Sequence, residues 1–174
     1  SDEPALAMQV AAVVSVAGAI EGSPLAAGVD AVYDRLLSHA FESLCPAGDG
    51  KLIDSLVPAT RRQWLAAHPP PAHIRYFSLA TFTTREHLSA ALREPWHWLA
   101  RTSTFNDGQV LASAAVIPGA TLLGYANADH WDVAIDVERA LPHLAARPSA
   151  RAFPRATLLD ALLAYVNEAL ATSP

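Results

Sequence analysis

Three short segments with strand character lie far apart in this sequence, separated by long stretches of helical pattern, and that spacing constrains the fold more than any other feature. Residues 10–17, Val-Ala-Ala-Val-Val-Ser-Val-Ala, form a Val-rich apolar run closed by Gly18, the pattern of a strand covered on both faces. Residues 74–82 are rich in aromatic and aliphatic side chains. They follow Pro69-Pro70-Pro71, which stiffen the approach and disfavour helix just before them, so a second strand is expected there. Residues 121–125 give a third. Strands so separated cannot be joined as hairpins, so the sheet they imply is parallel and the class is α/β.

The connecting stretches carry their own signals. Val29, Val32, Tyr33, Leu36, Leu37, Ala40 and Leu44 recur at helical spacing, residues 46–50 break the chain, and residues 51–56 and 59–67 read as two shorter helices. Residues 25–72 together predict a helical insertion. Helix is expected again over residues 84–100, then a polar turn at Phe105-Asn106-Asp107-Gly108 and a loop over residues 126–131. Residues 154–171 close the pattern with an apolar stripe of Leu158, Leu159, Leu162, Leu163, Val166 and Leu170, with Pro154 suited to the first turn.

A length of 174 residues predicts one domain or the larger part of one, and a 52% hydrophobic content is enough to exclude disorder over most of the chain. The net charge of −5, with Lys51 as the sole lysine in no basic run, argues against nucleic acid as a partner. Cys45 is the single cysteine, so no internal disulfide can form. The longest apolar run, residues 10–20, is broken by Ser15 and Gly18 and falls short of the roughly eighteen residues of a spanning helix, so no transmembrane segment is expected. The sequence opens Ser-Asp-Glu, without an initiator Met or a basic stretch leading into an apolar one. It reads as cut, with any signal peptide absent or already removed and the compartment left open.

In a parallel α/β sheet, ligands gather beyond the carboxyl ends of the strands. The loops there carry residues 18–24, then Asn106-Asp107-Gly108, then Asp129-His130-Trp131. A carboxylate in one loop and a histidine in the next have complementary chemistry. A buried acid that accepts one ring N–H fixes the imidazole tautomer and stabilises the imidazolium formed when the other nitrogen takes a proton. Asn-Asp-Gly is equally an ordinary turn, and most of the seven histidines must be structural or solvated, so both readings stand for Asp107 and His130. Trp131 reads as packing or as a shield for the histidine.

The order strand, Asn-Asp-Gly, strand, loop histidine resembles the C-terminal part of lipase- and esterase-like α/β-hydrolases. Val13-Val14-Ser15-Val16-Ala17-Gly18-Ala19-Ile20-Glu21-Gly22-Ser23-Pro24-Leu25-Ala26 is similar to their sixth strand and its Gly-Ser-Pro turn. Asn106-Asp107-Gly108-Gln109-Val110 is similar to the segment of their catalytic acid, and Gly124-Tyr125-Ala126-Asn127-Ala128-Asp129-His130-Trp131-Asp132 to that of their catalytic histidine. The resemblance implies a partial α/β-hydrolase fold, Asp107 and His130 as acid and base of a Ser-Asp-His triad, and a small-molecule ester as substrate. It places residues 25–72 where such enzymes carry a cap or lid; the same helices also read as plain cover for the sheet. Asp132 corresponds to a calcium ligand of some such lipases, but the region of the second ligand offers only Arg85 and Glu86. His68 with His73 and Glu86 with His87 lack zinc spacing, so neither metal nor cofactor is expected.

One required part is missing. The family's nucleophile sits in Gly-x-Ser-x-Gly on a tight strand-to-helix turn, and no such pentapeptide occurs here. Ser15 lies within a strand pattern between Val13 and Ala17, and Ser23 precedes Pro24, which lacks the N–H an oxyanion hole would use. By the family's order the serine would precede residue 1, with residues 2–9 ending the helix after it. The chain is then expected to be the C-terminal portion of a longer hydrolase, inactive alone. It would associate with the N-terminal portion of the same hydrolase, or with itself through the strand edge at residues 10–17. The rival reading is a non-catalytic binding module on the same scaffold, and a third is a self-contained esterase using Ser15 or Ser23.

Overall fold

The Val-rich run forms β1 (Ala12–Val16), the segment after the prolines forms β2 (Arg75–Phe82), and the third forms β3 (Thr121–Asn127). A computed structural model describes residues 8–27, 51–136, 139 and 153–172 of the chain. The sheet has the order β1-β2-β3 and is parallel throughout, as the spacing requires. Ala12 lies opposite Arg75 and Val16 opposite Leu79, while Phe77 pairs with Thr121 and Phe82 with Asn127 across an irregularity between Ser78 and Leu79. β2 is the central strand and is buried from Phe77 to Thr81, whereas β1 is half-buried along its length and β3 is more exposed.

β1 is followed by Ala17, whose φ of 52° lies in the left-handed region although its N–H still reaches Leu79 O at 2.9 Å. The following loop runs through Gly22 to a 3-10 turn at Pro24–Ala27. Two helices, α1 (Lys51–Leu56) and α2 (Pro58–Ala67), are pinned to this loop. Ser23 N–H donates to Leu56 O at 2.9 Å, and Arg61 Nε donates to Ile20 O at 3.1 Å. Gly22 is required where it stands, because its φ is 83° and a Cβ would meet Leu56 O at 2.2 Å. The helix expected over residues 29–44, the break at 46–50, Cys45 and most of residues 2–9 lie outside the described residues.

Residues 84–100 depart from the single helix expected of them. They form 3-10 turns at Arg85–His87 and Ala90–Leu92 and one helix, α3 (Arg93–Leu99). The interruption has a tertiary cause. Leu88 is extended (φ −79°, ψ 141°), and the N–H of Ser89 is taken by the Asp129 carboxylate at 2.7 Å instead of by a helical carbonyl. Leu88, Leu92 and Leu99 are buried by this path.

Two apolar clusters hold the connections to the sheet. Leu25, Leu99 and Leu111 pack with Trp98, while Ala80, Val110, Ala112 and Ala115 pack with Phe82. The last helix, α4 (Arg155–Ala171), starts with Pro154 as N-cap residue, one position before the first-turn site expected for it. Tyr165 meets Phe77 edge-to-face with centroids 5.8 Å apart, and the Arg75 guanidinium donates to Ala169 O. The expected stripe is divided: Leu158, Leu162, Val166 and Leu170 are half-buried, while Leu159 and Leu163 are exposed.

Candidate active site

The site is built at the carboxyl ends of β2 and β3. Thr81 stands near the end of β2, and the chain leaves through α3 and returns at Asn106. Asn106 O accepts the Thr83 N–H at 3.1 Å, and Asn106 pairs with Leu111 in an isolated antiparallel bridge. Inside that bridge the Asn106 side chain donates from Nδ2 to Ser103 O at 2.9 Å and accepts the Gly108 N–H at 3.0 Å. Gly108, at φ 92°, makes the reversal. Asparagine, aspartate and glycine are therefore each used: the first ties the turn down, the third turns it, and the second points inward.

Asp107 uses its two oxygens differently, one on its own turn and one on Thr81 and His130. Oδ1 accepts the N–H groups of Gln109 at 2.9 Å and Val110 at 2.8 Å, the local bonding of an Asx turn. Oδ2 accepts the Thr81 hydroxyl at 2.7 Å and faces His130 Nδ1 at 2.9 Å. The side chain is 1% exposed, and its histidine partner 25%. An ionised carboxylate only accepts hydrogen bonds, so with three other donors already aimed at it, Nδ1 carries the proton and Nε2 presents the lone pair. The carboxylate holds the ring while the unbonded edge remains partly open.

His130 is also held through its backbone. Its N–H donates to Asp107 O at 3.0 Å, so the two residues are joined by main chain as well as side chain. Next to it, Asp129 is 0% exposed, and its oxygens accept the N–H groups of Trp131, Asp132 and Ser89. Thr81 and Asp129 were not marked as site residues by the sequence. Nothing in a strand pattern distinguishes the hydroxyl of Thr81. Asp129 had only its place beside the histidine as a signal.

The serines of the first loop are placed differently. Ser23 is buried, its Oγ donating to Gln109 O at 2.5 Å and accepting the Leu25 N–H at 3.2 Å, so its hydroxyl ties the loop to the acid turn. Ser15 lies within β1 opposite Ser78, with Gly18 packed against its Oγ. The sequence-level metal candidates are exposed at His68, His73, Glu86 and His87. His68 stacks on Trp64, and the Glu86 carboxyl is lowered from its ordinary pKa by the Thr84 side-chain hydrogen bond. Among the described residues no three potential ligands gather as a metal site.

Among solved structures the chain is similar to a metagenomic carboxyl esterase, with 44% identity and a TM-score of 0.77 over 95% of this chain and 50% of that one. It is also similar in fold to a lipase of Bacillus licheniformis in its mature form, with 22% identity and a TM-score of 0.56 over 74% of this chain and 51% of that one. No protein-family model matches the sequence, and no curated protein matches it. The chain spans about half the length of these two solved chains. Among the described residues no helix is long and apolar enough to cross a membrane. The parallel sheet, its flanking helices and the identity to the esterase together make this chain a partial α/β-hydrolase fold of the lipase- and esterase-like kind.

Proposed function

We propose that this chain supplies the acid and the histidine of a Ser-Asp-His triad in a serine hydrolase of carboxylic esters, the serine coming from polypeptide that the sequence does not contain. The approach of His130 Nδ1 to Asp107 Oδ2 at 2.9 Å carries the reading. His130 Nε2 takes the proton of the serine hydroxyl as its oxygen attacks the ester carbonyl, and Asp107 stabilises the imidazolium that results. Collapse of the tetrahedral intermediate breaks the bond to the leaving alcohol, to which Nε2 returns the proton. Water, activated by the same nitrogen, then releases the acid.

Three observations support an outside nucleophile. No Gly-x-Ser-x-Gly occurs in the sequence, the Ser23 hydroxyl is engaged by Gln109 O, and the chain spans half of the esterase it is 44% identical to. The partner this implies is the N-terminal portion of the same hydrolase, or a second copy meeting the outer edge of β1. Residues 25–72 would serve as cap or lid. The test is to combine the chain with an N-terminal portion bearing Gly-x-Ser-x-Gly and to assay cleavage of a short-chain aryl ester. Activity is expected from the combination, none from this chain alone, and a loss of about 10⁶-fold with His130→Ala. Undiminished cleavage by His130→Ala would overturn the proposal, and an inert combination that still assembles would favour the non-catalytic binding module.

A further inference from the structure

We infer that Asp129 is a positioning residue for His130, acting through the backbone on either side of the ring and touching neither substrate nor nucleophile. The inference rests on the acid–histidine reading of Asp107 and His130 and adds to it the group that sets where the imidazole stands.

Asp129 and Asp107 use the same local device. Each extends Oδ1 forward to the N–H groups two and three residues ahead, Gln109 and Val110 for Asp107, Trp131 and Asp132 for Asp129. The difference lies in Oδ2. For Asp107 it meets the imidazole and the Thr81 hydroxyl, while for Asp129 it meets the Ser89 N–H at 2.7 Å, across from the segment between the two 3-10 turns. A fully buried carboxylate is costly unless its lone pairs are satisfied, and three N–H donors satisfy this one without any cation among its hydrogen-bond partners. Such a group holds its donors in one arrangement.

What it holds is the base of the histidine. The Trp131 and Asp132 amides open a single helical turn, closed by Ala134 and Ile135 N–H donating to Trp131 O, so Asp129 caps the turn that begins immediately after His130. On the other side the His130 N–H donates to Asp107 O. The Cα of His130 is therefore fixed between an anchor to the acid turn and an anchor to Ser89, which leaves the ring only its own rotations to reach Asp107 Oδ2. A loop without the Ser89 anchor would let Nδ1 drift from 2.9 Å, where a shift of about 1 Å can cost a triad about 10² in rate.

The test follows the Nδ1–H proton of His130 by NMR on the 174-residue chain with labelled histidine, compared with Asp129→Asn and Ser89→Pro. The second variant removes the donor and sets the proline ring against Asp129 Oδ2, so the carboxylate must move off position 89. The backbone itself fits, with Ser89 φ −52° and Leu88 ψ 141° both compatible with proline at position 89. In the wild type a slowly exchanging, hydrogen-bonded Nδ1–H resonance is expected. In both variants its solvent exchange should quicken by at least about tenfold, while the unfolding midpoint of whichever variant is the more stable stays near that of the wild type. If that variant keeps wild-type exchange, or loses the proton only in step with global unfolding, the positioning role is overturned while the pair survives. A wild type lacking the resonance would instead overturn the Asp107–His130 pair, and this inference with it.

Discussion

His130 Nδ1 reaches Asp107 Oδ2 at 2.9 Å although the two residues leave the sheet from different strands. The parallel register makes this possible: Thr81 pairs with Ala126, so the loop after β3 and the turn packed on the end of β2 begin at the same level of the sheet. The carboxylate that Thr81 holds is then one backbone bond away from the histidine, through His130 N–H and Asp107 O.

Asp107→Asn tests the electrostatic half of that relationship. The amide oxygen can still accept the Gln109 and Val110 N–H groups, so the turn should persist with a small loss of stability. The amide nitrogen would then face Nδ1 and Thr81 Oγ, donor against donor, and would favour the tautomer with its proton on Nε2. In the complemented hydrolase kcat should fall by about 10⁴-fold with little change in KM. Steady-state kinetics on an aryl ester read this directly, and a rate within tenfold of wild type would leave Asp107 as a turn residue.

Thr81→Val removes a donor from the oxygen that holds the histidine while keeping side-chain shape. A hydrogen bond to a charged group contributes about 1.5–3 kcal/mol, so the thermal midpoint should drop by several degrees. The carboxylate should also lose its fixed direction, lowering kcat by about tenfold, while Thr81→Ser, which retains the hydroxyl, recovers most of it. Equal kinetics for the Val and Ser variants would confine Thr81 to packing.

The residues that could be read in advance are those whose signal is local or ordered along the chain. Strand spacing alone required the parallel sheet, α1 and α2 follow from turn residues and helical patterns, and the Asp107 and His130 motifs stand in the order of the family they resemble. What escaped depends on partners distant in sequence. The break in residues 84–100 comes from Ser89 N–H bonding Asp129, forty positions on, and no propensity at Leu88 or Ser89 announces it. The Thr81 hydroxyl looks like any strand threonine until Asp107 folds onto it. In α4 the apolar residues outnumber the positions that reach the sheet, so a helical wheel cannot tell Leu158 from Leu159.

Gly108→Ala should cost more than the same change at Gly119, although both glycines have positive φ, 92° and 78°. At Gly119 an added Cβ meets nothing within 4 Å, leaving only backbone strain of about 1–3 kcal/mol. At Gly108 it meets Leu92 Cβ at 2.9 Å and Leu92 O at 3.2 Å, so the acid turn must also shift off the 3-10 turn that leads into α3. Thermal melts should rank wild type, Gly119→Ala, Gly108→Ala in falling order, and ester turnover should drop only for the last. A reversed ranking would show that the turn moves freely.

The outer edge of β1 gives the last prediction. Arg75 N–H donates to Ala11 O and Ala17 N–H to Leu79 O, so along β1 the odd-numbered residues turn their amides toward β2 and Val14 turns its amide away. Among the described residues no strand meets that side, and an apolar edge left open recruits another strand. Light scattering on the chain alone should therefore give a mass above the monomer. Val14→Pro, which deletes an outward N–H and no bond to β2, should move it toward the monomer with the fold retained. Val13→Pro deletes an inward donor and should unfold the sheet instead. A wild-type chain that stays monomeric at every concentration, or a Val14→Pro chain that associates as before, would take β1 out of the interface.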